Sequence, residues 1–184
     1  MGFHTFPIER ADALDDPSRY RYCSREELLE MLNPATNAAI LDLGSGTGFY
    51  TSDVAPFVGD LYAVDMQPEM HDRHLKQRVV PNVFLVTAAI TQLPFGDDSL
   101  DGAFSTMTHH EYGASESMEE IARVLRPGSR LVTIDWSALG SGEDGPPLDE
   151  RFEPSEIVAQ LERAGFTIDD VRTRPETVAI CATI

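Results

Sequence analysis

The stretch Ala38–Tyr50, "AAILDLGSGTGFY", constrains the fold more than any other part of this 184-residue chain. A continuous apolar run carries one aspartate near its end, and glycines at 44, 46 and 48 then lead into a helical pattern. A run apolar on both faces belongs inside a parallel sheet, and strands that pass into helices are the units from which such sheets are built. Glycine allows a tight turn and lets a ligand approach the backbone, while the helix start offers N–H donors and a partial positive charge. The turn is therefore a candidate site for an anionic or polar ligand, although a purely structural turn would use the same residues.

The alternation continues along the chain. Ser24 and Glu27 have the spacing of a capping box, so "SREELLEML" opens a helix. Strands are expected over Ala38–Leu43, Leu61–Asp65, "NVFLVT", Leu100–Ser105 and "RLVTIDW", and helices over Thr47–Phe57, Pro68–Arg78, Ser115–Leu125 and Pro154–Ala164. At the end, "FTIDDVRTR" and "TVAICATI" are separated only by Pro175 and Glu176, a link that permits only antiparallel neighbours. The expected fold class is α/β: a doubly wound, Rossmann-like, seven-stranded sheet, mostly parallel with a C-terminal antiparallel hairpin. A single domain over residues 1–184 is expected, and residues 3–23 read as an irregular arm ahead of the first helix.

Charge and composition exclude several classes. Acidic residues number 31 against 14 basic ones, giving −17, and Lys76 is the sole lysine. That balance fits a surface adapted to a salt-rich cytoplasm, or an ordinary acidic protein. It makes binding to a nucleic acid backbone repulsive at low salt, although at about 1 M salt the Debye length is only about 3 Å. No apolar run approaches the roughly 18 residues of a membrane span, and "MGFHTFPIERADALDD" has neither the basic region nor the apolar core of a signal peptide. Phe6 stands where a myristoylation signal needs Ser or Thr. A soluble, cytoplasmic protein without membrane insertion is expected. Cys23 and Cys181 have no metal-ligand spacing and suggest no disulfide framework; Cys181, in an apolar run, reads as a core residue.

Spacing narrows the ligand. The dinucleotide fingerprint G-x-G-x-x-G fits poorly, because after Gly46 the next glycine is Gly48, followed by Phe49 and Tyr50. A phosphate-binding P-loop needs a lysine that is absent from the turn. The second strand ends in Asp65, 21 residues beyond Gly44, where a carboxylate can accept both hydroxyls of a ribose bound across the strand ends.

Four stretches in order, "LDLGSGTG", "AVDMQPEM", "LPFGDDSLDGAFS" and "EEIARVLRPGSRLVTID", resemble class I S-adenosylmethionine-dependent methyltransferases. The similarity is strongest to the broad small-molecule group that includes the quinone-biosynthesis C-methyltransferases, and it runs from about Ile40 to Asp135. The arm stretch "ADALDDPSRYRY" also resembles segments that fold over the cofactor in such enzymes, so residues 1–37 are expected to cover the site. The resemblance implies that the backbone of Gly44, Ser45, Gly46 and Gly48, together with Asp42, holds the methionine part of S-adenosyl-L-methionine. It implies Asp65 on the ribose, Met66 against the adenine, and Ser105, Thr106 and Met107 along the methionine and sulfonium end. Ala89 and Ile90 stand at the adenine edge, where the family usually has an acidic residue followed by a small one. That departure leaves the adenine amino group to backbone, water or apolar packing. Phe49 and Tyr50 read as packing residues, or as aromatic faces near a cation.

The implied reaction is methyl transfer to a small-molecule acceptor. Its alternatives are a noncatalytic cofactor-binding partner subunit, or a methyltransferase acting on RNA or protein. The sulfonium makes its methyl group electrophilic, so the protein must chiefly align a nucleophile and exclude water. In "THHEYG", His110 or His109 is a candidate base and Tyr112 a candidate for positioning the substrate; one histidine capping the loop while the other packs is the competing reading. His71 and His74 read as a solvated helix face, not a metal site, and His4 as arm surface; no metal is expected. Trp136 reads as pocket wall or core. The Gly/Pro-rich acidic stretch Ser137–Glu153 reads as a solvated connector or a mobile substrate lid. No signature of amino-directed nucleic acid methylation and no Pro-Cys nucleophile is present.

Overall fold

The computed structural model describes residues 5–184; the expectation for His4 lies outside them. Seven strands form one sheet in the order β3-β2-β1-β4-β5-β7-β6. They are β1 (Ala39–Leu43), β2 (Asp60–Asp65), β3 (Val83–Thr87), β4 (Leu100–Thr106), β5 (Leu125–Trp136), β6 (Thr167–Thr173) and β7 (Thr177–Thr183). The first five pair in parallel, and β7 runs antiparallel to both β5 and β6. The helices are α1 (Arg25–Leu32), α2 (Phe49–Val54), α3 (Pro68–Gln77), α4 (His109–Tyr112), α5 (Ser115–Val124) and α6 (Pro154–Arg163). Consecutive strands β1, β2 and β3 step toward one edge, and β4 returns to the far side of β1. The reversal between β1 and β4 is the switch point where doubly wound sheets bind ligands.

The sheet divides the core in two. One layer gathers Leu28, Met31, Ile40, Val54, Leu61, Phe104 and Ile134; the other gathers Leu41, Leu43, Val64, Ile121, Leu131, Leu161 and Ile180. Ile40 and Leu41 are neighbours in sequence yet face opposite layers, as strand periodicity requires. Cys181 lies in the first layer, as its apolar setting implied. Among the described residues no helix is long and apolar enough to cross a membrane.

Several local expectations change. The arm forms two 3-10 segments, Ile8–Asp15 and Pro17–Arg21. Asp16 starts the second by accepting the Ser18 N–H at 2.8 Å. Ser24 caps α1, accepting the Glu27 N–H at 3.2 Å, but the Glu27 carboxylate turns away to Arg174, so the box is half formed. Residues 47–57 form a shorter α-helix, α2, and a 3-10 turn at Ala55–Phe57, since Pro56 cannot donate within the helix. β5 begins at Leu125 rather than after "RPGS"; that segment joins the strand through a register shift opposite Leu100–Gly102, with Gly128 at φ +86°.

His71 and His74 are not a solvated face. They are 7% and 1% exposed and, with Met70, form the inward side of α3. Helical periodicity brings 70, 71 and 74 onto one stripe, which packs on the glycine turn and on β2 and β3. Among the described residues no group of three or more His, Cys, Asp or Glu is placed to hold a metal ion.

The two sheet edges differ. β6 carries Asp169, Asp170 and Arg172, and Arg172 pairs with Asp170 at 2.6 Å. β3 is uncharged, and Phe84 on it and Val79 before it are 45% and 82% exposed.

Candidate active site

β1 delivers Asp42 and then the turn Gly44–Gly48 to the switch point. Gly44, Gly46 and Gly48 have φ of +71°, +54° and +82°, a region side chains rarely adopt. The glycines at 44 and 48 make room for side chains of the protein itself. A Cβ on Gly48 would lie 2.2 Å from His74 Cε1, and one on Gly44 would lie 2.3 Å from Thr108 Cγ2. At Gly46 the nearest atom is Leu14 Cδ1 of the arm, at 3.2 Å.

The turn also spends most of its donors internally. Gly44 and Ser45 N–H groups both donate to Val64 O at 2.9 Å, Gly46 N–H to Asp65 Oδ2 at 2.8 Å, and Gly48 N–H to Ser45 O at 3.0 Å. The donors expected of the helix start are those of the first turn of α2, from Phe49 on, where no side chain caps the helix. Acceptors are present as well. Asp42, 2% exposed, accepts from Thr51 Oγ1 at 2.6 Å on one oxygen and, among the described residues, has no partner on the other. Burial pushes its carboxyl up to about 7. The hydroxyls of Ser45 and Ser105 are likewise buried without a partner. Asp65 uses both oxygens, accepting Gly46 N–H and, at 2.9 Å, Gln67 N–H. Burial raises its carboxyl and those two N–H groups oppose the rise.

The arm roofs this edge. Asp15 accepts the Thr47 hydroxyl at 2.8 Å and pairs with Arg78 at 2.7 Å, so it ties the arm to the turn and to the end of α3. Arg19 donates to Leu14 O at 2.6 Å, and its guanidinium carbon lies 5.3 Å and 5.2 Å from the ring centroids of Phe49 and Tyr50. Its Nη2 contacts Met107 Sδ at 3.9 Å. Phe49 and Tyr50 thus pack against a cation of the protein, and their rings are buried.

The "THHEYG" segment forms α4 after β4. His109 is 1% exposed; its ring nitrogens meet Gln160 Oε1 at 2.8 Å and Thr133 Oγ1 at 3.4 Å, and burial lowers its basicity. Tyr112 is buried, its hydroxyl facing the interior near Ser105 and Thr133, and burial raises its pKa. Both side chains are held inside the fold. His110 is different. Its Nδ1 lies 2.9 Å from Asp135 Oδ1, and its backbone N–H donates to Asp135 Oδ2 at 2.6 Å. Its Nε2 is left toward Glu111 Oε1, 4.0 Å away. Burial disfavours the imidazolium, but the charge and hydrogen bond of Asp135 outweigh it and raise the His110 pKa.

Of the remaining candidates, Thr106 and Met107 follow Ser105 at the end of β4, beside Arg19 and the turn. Met66 projects beyond β2 and is 55% exposed, free to cover a flat ring. Ala89 and Ile90 lie just past β3 on the same edge, Ala89 accepting the Gln92 N–H at 3.0 Å. Ser137–Glu153 is an ordered loop built around Arg151, whose side chain is fully buried and pairs with Glu176 at 3.0 Å. It also donates to Pro146 O at 2.9 Å and lies over Trp136, 5.5 Å from the ring centroid. Hydrogen bonding from Ser141 and pairing with Arg151 hold the Glu176 carboxyl at about 2.

Sequence reasoning missed Arg19, Glu111 and Asp135. Asp135 carried a signal: like Asp42 in "ILDLG", it interrupts an apolar strand in "VTIDW", and a buried carboxylate requires a partner.

Residues 41–133 match the family described as a methyltransferase domain. The chain belongs to the S-adenosylmethionine-dependent methyltransferases. An uncharacterised methyltransferase of Mycobacterium tuberculosis is 31% identical over 149 residues, 74% of this chain and 60% of that protein. An O-methyltransferase of Penicillium expansum is 34% identical over 161 residues, 80% of this chain and 58% of that protein. The chain thus spans about 60% of the length of these curated relatives. Among solved structures, a SAM-dependent methyltransferase from Aquifex aeolicus superposes with a TM-score of 0.90 at 29% identity, covering 98% of this chain and 100% of that one. The seven-stranded sheet with its antiparallel hairpin is the methyltransferase architecture.

The site fits the family's cofactor. Among the described residues, Asp42 Oδ1 and Ser45 Oγ are buried acceptors lacking donors, which an ammonium group supplies, and Ser105 Oγ has only the Tyr112 hydroxyl nearby. The Asp65 oxygens retain lone pairs beyond the two N–H bonds they accept, enough for ribose hydroxyls.

Proposed function

We propose that this chain is an enzyme that transfers a methyl group from S-adenosylmethionine to a small-molecule acceptor. The observation that carries the reading is the set of unpartnered buried acceptors at the β1/β4 switch point, Asp42 foremost. S-Adenosylmethionine, when bound, supplies an electrophilic methyl group on a sulfonium. Asp42, Ser45 and Ser105 hold its methionine end, Asp65 its ribose and Met66 its adenine, while Gly44, Gly46 and Gly48 let the turn close on Thr108, the arm and His74. Arg19 is placed to meet a carboxylate, and the arm excludes water. Ala89 and Ile90 offer the adenine edge no carboxylate. His110 is the member of the "THHEYG" segment available to an acceptor.

Thermal shift with S-adenosylmethionine, S-adenosylhomocysteine and NAD tests the reading. A ligand at 100 times its Kd stabilises the fold by about 2.7 kcal/mol. Both adenosyl ligands should shift the melting temperature and NAD should not; the reverse pattern refutes the assignment. Release of S-adenosylhomocysteine only in the presence of a small acceptor distinguishes the enzyme from a noncatalytic partner. The same assay with RNA or protein as acceptor covers the alternative substrates.

A further inference from the structure

The α4 segment, which follows β4 directly beyond the switch point, holds a constellation that cofactor binding does not use. Asp135, fully buried at the end of β5, grips His110 twice, through the backbone N–H at 2.6 Å and through Nδ1 at 2.9 Å. A hydrogen bond at Nδ1 fixes the ring and places its proton there, so the lone pair of neutral His110 sits on Nε2. Nε2 faces Glu111, whose carboxyl lies 4.0 Å away. The His110 side chain retains 11% exposure, whereas His109, on the neighbouring position, has both nitrogens engaged inside the fold.

We propose, resting on the methyltransferase reading above, that His110 is the proton acceptor for methylation of an uncharged hydroxyl, with Asp135 as its positioning residue and Glu111 as the group that relays the proton outward. In the step, the acceptor oxygen forms its bond to the methyl carbon as the carbon–sulfur bond breaks and its electron pair stays on sulfur. The hydroxyl proton passes to His110 Nε2. The resulting imidazolium lies between two carboxylates, and the proton leaves through Glu111 to solvent, so the net products are a methyl ether, a thioether and one proton.

The surroundings set the acceptor class. The groups facing His110 are Asp135 from β5, Glu111 on its own helix and Glu150 from the 148–150 turn, with Asp65 of β2 beyond Glu111 and His109 alongside. All but the histidine are acids, so a carboxylate or phosphate acceptor would meet like charge. A neutral hydroxyl needs a base and meets no repulsion. Such a base must be near neutral when it works; the carboxylates hold His110 above the ordinary histidine value of about 6.5 and so place its working range on the alkaline side of that. Glu111, pushed up to about 7 by burial, is suited to exchanging a proton with it.

Diethyl pyrocarbonate labelling of the full chain, read by peptide mass spectrometry across pH, tests the assignment independently of any acceptor, because the reagent acylates neutral, reachable imidazole nitrogen. His110 should label in the native fold while His71, His74 and His109 are spared, with half-maximal rate above pH 6.5. In Asp135→Asn that midpoint should fall by about one pH unit, a tenfold change in the proton affinity of the ring. Glu111→Gln, which leaves Asp135 in place, should lower it by less. An ion-pair lock with no base function leaves His110 unlabelled until the protein unfolds, and that result in the wild type overturns the proposal. With S-adenosylhomocysteine bound, phenol should protect His110 and benzoate at the same concentration should not. Equal protection by both, or by neither, overturns the acceptor class. Calorimetric titration with S-adenosylhomocysteine separates the two levels: binding without His110 labelling defeats this proposal alone, whereas absence of binding defeats the methyltransferase reading with it.

Discussion

Substituting Gly48 by alanine tests whether the glycine turn is shaped by a ligand or by the protein's own packing. The added Cβ would lie 2.2 Å from His74 Cε1, 2.3 Å from Nδ1 and 2.7 Å from Cγ, so the whole imidazole is in the way. His74 is 1% exposed on the inward stripe of α3 and has no open space to swing into. Holding alanine at φ +82° costs about 1–2 kcal/mol, and overpacking a closed site adds about 1–3 kcal/mol. The expected total of about 2–5 kcal/mol lowers the melting temperature of a domain this size by about 4–20 °C. Urea unfolding followed by circular dichroism measures it, and a double-mutant cycle with His74→Ala divides it. Removing the ring relieves the clash and leaves the backbone strain, so the double variant should recover about 1–3 kcal/mol relative to the sum of the singles. Additivity within about 0.5 kcal/mol would refute the packing account.

Other outcomes follow from the same structure. Burial pulls the His74 pKa down to about 4, so the neutral ring stabilises the fold above the unfolded value of about 6.5. That contribution is lost as pH falls from 6.5 toward 4, about 2 kcal/mol at pH 5, and His74→Gln should flatten the acid limb of a stability-versus-pH curve. Asp65→Ala should abolish the thermal shift by S-adenosylmethionine; full retention means the ribose contact is misplaced. Phe104→Ala, at a position fully buried in the first core layer, should cost about 3–5 kcal/mol in urea unfolding. If the −17 surface is built for salt, the melting temperature should climb steadily as KCl is raised toward 1 M; a flat response would favour an ordinary acidic protein.

The central strands β1 and β4 were legible because burial on both faces leaves an unbroken apolar run, and the hairpin because two residues between Arg174 and Thr177 allow one geometry. The turn was legible in position but not in reason: its glycines accommodate His74 and Thr108, contacts that no local pattern announces. The histidines of α3 were misread because histidine carries no reliable hydropathy signal, and only the stripe shared with Met70 marks them as inward. In α4 the sequence offered His110 or His109 as a base and Tyr112 to position the substrate. Burial, set by α6 and β5 packing around them, divides their roles.

The contrast between the two sheet edges bears on how the purified protein behaves at high concentration. β6 is guarded locally by charged side chains, a defence that travels with the strand. β3 presents unpaired backbone next to Phe84 and Val79 and has no such guard, so long-range repulsion between strongly acidic molecules must protect it. Salt that shortens the Debye length to about 3 Å removes that protection while easing the self-repulsion within each molecule. Where the melting temperature climbs with KCl, folding stability and colloidal stability respond to salt in opposite directions, and the strand to modify when both are wanted is β3, with a lysine in place of Phe84.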